Sequence, residues 1–301
     1  MLIDDVETLI AERPICVGTQ NQYRRSVRCY SAFLAKPAER PDLQEHSINR
    51  WLISLEQSKA PETVRGRKAG ITAVWNWLAE QSFVPHYNPN RLRKINLPDK
   101  IPRAWSLANV QSLLQGAAEV EGILDCGLLA SELLTAWVWI GYESGLRPSD
   151  ILRIRVDQVA PHTAIIQHKT GKPHCFQLSD AAIAALSPLL RPGREAAFGL
   201  PRSTARRWEL KLFAAAEKFG FVRTRGQALG TLRKTHGTEV CRASGLTAAA
   251  QSLGHVSGTS IARRSYVQPD AIADPPPPPS LYHAPGHRAD ESHSKDSRRR
   301  A

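Results

Sequence analysis

Thr231-Leu232-Arg233-Lys234-Thr235-His236, followed by Leu253-Gly254-His255 and then by Tyr266, decides how this 301-residue chain is read. The stretch sets an arginine, a histidine and a tyrosine in order on what the pattern gives as successive helices. Arginine is permanently cationic, and its planar fork matches phosphate oxygens. Histidine donates to the same oxygens or shuttles a proton. Tyrosine becomes a covalent nucleophile once its proton is removed. Together they suit a site that holds a phosphodiester and attacks it. Each alone is commonplace: a helical arginine is usually solvated, and a lone tyrosine is usually half-buried packing. The rest of the chain must therefore supply the other parts.

Lys and Arg number 40 against 28 Asp and Glu, a formal net charge of +12. A surplus of that size points to an acidic partner, nucleic acid first. The five cysteines (Cys16, Cys29, Cys126, Cys175, Cys241) are scattered without a Cys-x-x-Cys pair. Neither a zinc knuckle nor a disulfide framework is indicated, which favours a reducing cytoplasm. No metal or cofactor motif is present. Asp4, Asp5 and Glu7 interrupt the apolar N-terminus, against a signal peptide. No apolar run is long enough to span a membrane.

Periodicity divides the chain into a helical module over 1–84, a basic linker over 85–104, a second domain over 105–270 and a disordered proline-rich tail over 271–301. The first helix, 2–12, buries Leu2, Ile3, Val6, Leu9 and Ile10. Thr19 is the expected N-cap of the second, which carries Arg24, Arg25 and Arg28 on its outer face. A third runs near 43–57. A fourth follows Pro61, with Arg65, Arg67 and Lys68 near its start, where the helix dipole favours anions. These six basic residues are the candidate DNA contacts. The alternative reading is a bundle with ordinary solvated charges.

In the second domain Ser106 is an expected N-cap. Residues 128–143 are apolar almost all round, as a buried spine should be. Gly145 stops that helix and Pro148 suits the first turn of the next, so Arg147 sits at a junction. Thr163–Gln167 and His174–Leu178 read as strands around a turn at Lys169-Thr170-Gly171-Lys172. The fold class is mainly α with a small β-hairpin sheet.

Taken in order, Arg147, Lys169, Arg233, His255 and Tyr266 resemble the tyrosine recombinases, or phage-type integrases, over roughly residues 15–270. Gly145-Leu146-Arg147-Pro148-Ser149-Asp150-Ile151-Leu152 looks like the first arginine box and Lys169-Thr170-Gly171-Lys172 like the hairpin lysine segment. Leu232-Arg233 looks like the second arginine box, Leu253-Gly254-His255 like the third, and Tyr266 takes the nucleophile's place. The resemblance implies an N-terminal core-binding domain and an integrase-type catalytic domain. It implies a homo-tetramer assembled on double-stranded DNA, working in the cytoplasm at the nucleoid. It implies attack by Tyr266 on a DNA phosphate, giving a 3′-phosphotyrosyl link and a free 5′-hydroxyl without metal, ATP or cofactor. In that scheme Arg147 and Arg233 grip the nonbridging oxygens, Lys169 protonates the leaving oxygen and His255 donates to the phosphate.

One departure stands out. The family's second box usually reads His-x-x-Arg, and here Gly230 holds the histidine position. His236 lies one turn beyond Arg233, where a core histidine is expected rather than a replacement base. The rival readings are a DNA-binding homologue whose catalysis is impaired by Gly230, and a type IB topoisomerase-like relaxing enzyme.

Overall fold

The computed structural model describes residues 1–98, 101–224, 226–254 and 258–272. His255 and the tail from residue 273 onward lie outside them. The chain divides into two compact units between Asp99 and Lys100.

The first unit is four helices: α1 (Leu2–Glu12), α2 (Val17–Leu34), α3 (Glu45–Glu56) and α4 (Pro61–Glu80). Their apolar stripes meet in one core. Leu2, Val6, Val27, Tyr30, Ile48, Trp51, Ile71 and Val74 are each at most 1% exposed. α2 begins earlier than expected. Its N-cap is Cys16, and Thr19 lies inside the first turn with its amide bonded to the Cys16 carbonyl at 2.9 Å. Part of the proline-punctuated run packs onto this unit. Leu92 is buried in its core, Trp75 Nε1 donates to Pro85 O (2.8 Å), and Asn49 Nδ2 donates to Arg91 O (2.8 Å).

In the second unit α5 (Leu107–Ala118) is capped by Ser106, whose hydroxyl accepts from Asn109 N at 3.2 Å. Such a cap contributes about 1 kcal/mol. The apolar run forms α6 (Ala130–Ser144), with Leu133, Leu134, Val138 and Ile140 fully buried. Burying each such side chain contributes roughly 1.5–3 kcal/mol. α7 (Pro148–Ile151) has its proline at the first position, where the missing amide hydrogen costs nothing.

The strands β1 (His162–Ile166) and β2 (Pro173–Gln177) pair antiparallel from His162 opposite Gln177 to Ile166 opposite Pro173. Each starts and ends one residue before its expected place. α8 (Asp180–Leu186), α9 (Arg202–Glu217), α10 (Thr231–Ser252) and α11 (Ser260–Ser265) complete the unit. α10 is two helical segments joined at Gly245, whose φ of 84° breaks the helical path. Among the described residues no helix is long and apolar enough to cross a membrane.

Candidate functional site

The C-terminus of α6 builds the floor of the site. The last carbonyls of any helix lack partners within it. Here three are satisfied by side chains from elsewhere in the chain. His236 Nδ1 meets Tyr142 O at 2.8 Å, His174 Nε2 meets Ser144 O at 3.0 Å, and Arg233 Nη1 donates to Gly145 O at 2.5 Å. Gly145 turns the chain out of the helix at φ 61°, against the His236 ring. A side chain there would collide with that ring, so the position demands glycine.

Arg147 follows at the mouth of α7. Its Nη1 donates to Gln167 Oε1 at 2.6 Å and lies 3.8 Å from Asp150 Oδ2. Asp150 also accepts from His168 N at 3.0 Å, which ties the start of the hairpin turn to α7. Arg233, in the first turn of α10, is only 2% exposed. Besides Gly145 O it donates to Leu253 O at 2.7 Å. Its Nε has no hydrogen-bond partner among the described residues. A buried guanidinium bonded to neutral carbonyls keeps its full charge, and burial makes that charge costly unless an anion arrives. Burial and the neighbouring Arg147 accordingly push the Arg233 guanidinium below its ordinary value.

Tyr266 closes α11. The Arg233 guanidinium lies 4.8 Å from the centre of its ring. The segment that carries it is tied to α10 by Gln268 N to Thr238 Oγ1 (3.2 Å) and Arg242 Nη2 to Asp270 Oδ2 (2.7 Å). Burial pushes the Tyr266 phenol up. Arg233 and Arg147 pull it down, through charge and hydrogen bonding, and prevail, so it sits below the ordinary tyrosine value.

The structure thus brings Arg147, Arg233 and Tyr266 together. Lys169 is exposed on the hairpin turn, two residues from Gln167. His255 lies outside the described residues. Gly230 is the N-cap of α10 at φ −58°, and a Cβ there would sit 3.4 Å from Pro148 Cγ. That backbone admits a side chain. His236 is half-buried under the end of α6, and its other nitrogen, Nε2, is shielded without a partner among the described residues. Burial, chiefly, lowers its pKa to about 4.

Three supporting side chains carry no obvious sequence signal of their role. Asp150, Gln167 and His174 are each at most 2% exposed. Gln167 and His174 both fall on the inward side of their strands' alternation, Gln167 after Thr163 and Ile165, where a polar side chain needs a partner.

The six candidate DNA contacts of the first unit are not equivalent. Arg24 is engaged by Glu7 through two bonds of 2.7 and 2.6 Å, and Arg28 lies close enough to help lower the Glu7 carboxyl. Lys68 donates to Arg93 O at 2.8 Å, and burial lowers its pKa. Arg25 and Arg65 are exposed, and Arg67 is partly so.

No family model and no curated protein sequence matches the chain. Solved structures do. A lambda integrase fragment, a dimer bound to a COC′ core site, superposes with a TM-score of 0.65 at 17% identity, covering 86% of this chain and 92% of that one. The Tn1549 transposon integrase in complex with a circular intermediate DNA gives 0.64 at 12% identity, covering 91% and 95%. The XerH site-specific recombinase in a post-cleavage complex with palindromic difH substrate gives 0.62 at 13% identity, covering 79% and 73%. The chain has the fold of the tyrosine recombinases.

Proposed function

We propose that this protein is a site-specific DNA strand transferase that cleaves and rejoins DNA through a 3′-phosphotyrosyl intermediate. The observation that carries the reading is the contact of Tyr266 with Arg233, with Arg147 acting on the same phenol. Two guanidiniums around one depressed phenol form a site for a phosphodiester beside its nucleophile. Tyr266 Oη attacks phosphorus as the phenol gives up its proton to solvent, and the bond from phosphorus to the 5′-oxygen breaks. Lys169 gives the departing 5′-oxygen a proton. Arg147 and Arg233 hold the nonbridging oxygens while negative charge builds, the step at which preorganised cations act most strongly. His255 donates to the same phosphate. Attack by the 5′-hydroxyl of a second strand reverses the step and conserves the bond energy, so no ATP is consumed.

Arg25, Arg65 and Arg67 supply sequence-independent phosphate contacts. A lambda integrase structure is a tetramer bound to a Holliday junction, and four copies on DNA are the assembly proposed for this chain. Its work then lies with the nucleoid in the cytoplasm.

The test is a library of nicked duplexes of randomised sequence, scored for protein–DNA adducts that survive denaturant. Adducts are expected with the parent chain. They should vanish in Tyr266→Phe, which loses one hydroxyl and keeps near-normal DNA binding. Binding without any adduct would favour the second reading, a DNA-binding homologue disabled by Gly230. That reading rests on the side chain missing beside Pro148. An adduct that survives Tyr266→Phe and disappears in Tyr282→Phe would show that the nucleophile is misassigned.

A further inference from the structure

Gln167 lies between Arg147 and the turn at Gly254. Its backbone closes the hairpin turn: the amide donates to Lys172 O at 2.9 Å, and the carbonyl accepts from Gly171 N at 2.8 Å. Its side-chain oxygen accepts from Arg147 Nη1 at 2.6 Å and from Thr170 Oγ1 at 3.0 Å. The other end of the same planar amide, Nε2, is buried and finds no acceptor among the described residues. It lies against Gly254, where a Cβ would come within 2.5 Å of it. The preceding residue, Leu253, offers the carbonyl that Arg233 Nη2 holds at 2.7 Å. One rigid amide therefore spans from the Arg147 guanidinium to the turn gripped by Arg233.

We propose that Gln167 is a positioning residue that sets the spacing of Arg147 from Arg233 and registers the Lys169 turn against both. The proposal rests on the phosphate-gripping reading of those arginines. Its chemistry explains the residue type. Asp150 already places one carboxylate near Arg147, 3.8 Å away. A second carboxylate at residue 167 would cancel the charge that the site needs, whereas an amide oxygen orients a guanidinium and leaves it cationic. Glycine at 254 is what lets the amide lie so close.

The test compares the full-length parent, Gln167→Met, Gln167→Glu and Tyr266→Phe. The first readout needs no DNA: tyrosine ionisation followed by ultraviolet difference absorbance, with Tyr266→Phe identifying the Tyr266 step. The parent should show one phenol that ionises below the others. In Gln167→Met the guanidinium loses its acceptor, and that step should rise by about one pH unit. Gln167→Glu keeps the acceptor and the packing but cancels the Arg147 charge, so the step should rise there too, even if the Met variant folds poorly. The second readout is the adduct rate on nicked duplex. It should fall about tenfold or more in Gln167→Met with DNA affinity unchanged, because orientation and not binding is lost. A folded Gln167→Met with the parent's phenol titration and adduct rate overturns the inference and leaves the site intact. A parent without a depressed Tyr266 step overturns the arginine–tyrosine site, and this inference with it.

Discussion

Acid should unfold the second unit partly through His236, and the structure sets the size of the effect. The ring is neutral in the folded protein, with Nδ1 on Tyr142 O and Nε2 shielded. Protonation would place a second N–H, and a charge, where no acceptor waits. Burial, with smaller contributions from His174 and Arg233, holds its pKa at about 4, against an ordinary 6.5. The folded pKa is depressed, so the unfolded chain takes up the proton first as pH falls. Stability is therefore full above about pH 6.5 and is lost progressively down to about pH 4. At about 1.36 kcal/mol per pH unit the whole loss is about 3 kcal/mol, roughly 2 of it between pH 7 and pH 4.5. His174, also depressed by burial, acts in the same direction. The perturbation that isolates His236 is His236→Asn, whose amide nitrogen can replace Nδ1 as donor to Tyr142 O and does not titrate. Urea unfolding of parent and variant, followed by tryptophan fluorescence at both pH values, gives the difference with other groups cancelled. The variant should lose about 2 kcal/mol less than the parent on acidification. Parallel losses would refute the reasoning, as would a His236 proton resonance titrating near pH 6.5. The adduct rate per folded molecule should be unchanged in the variant, because the ring is engaged by helix α6.

Gly230→His restores the imidazole of the usual second box at a position whose φ of −58° accepts a side chain. The adduct rate at neutral pH should rise, with about 100- to 10,000-fold as the ceiling for a positioned base. Crowding against Pro148 will take part of that gain, and a rate at or below the parent's would show that the site does not lack a base. DNA affinity should fall steeply as salt rises. Arg25→Ala and Arg65→Ala should each weaken binding and flatten that slope by about one, whereas Arg24→Ala, already engaged by Glu7, should change the slope little. Equal slopes for all three in filter-binding titrations would contradict the assignment.

Local chemistry carried much of the design into readable form. Ser106 before an apolar stripe, Gly145 after one and Pro148 at a first turn are signals that depend on a few neighbouring residues. They placed α5, the end of α6 and the start of α7 where the structure has them. The candidate set Arg147, Lys169, Arg233, His255 and Tyr266 came from the resemblance to the tyrosine recombinases, and the structure brings Arg147, Arg233 and Tyr266 together. Local signals also misled: Thr19 is a good capping residue, yet α2 begins at Val17 because the chain turns earlier, at Cys16. What no local pattern contained was the pairing of side chains remote in sequence. That Arg24 spends its charge on Glu7, that Arg147 leans on Gln167, and that His236, His174 and Arg233 satisfy the carbonyls ending α6 are facts of the folded chain. The Tyr266 phenol is depressed for the same reason. Its charge state depends on two guanidiniums that come from other helices, and only folding brings them within reach.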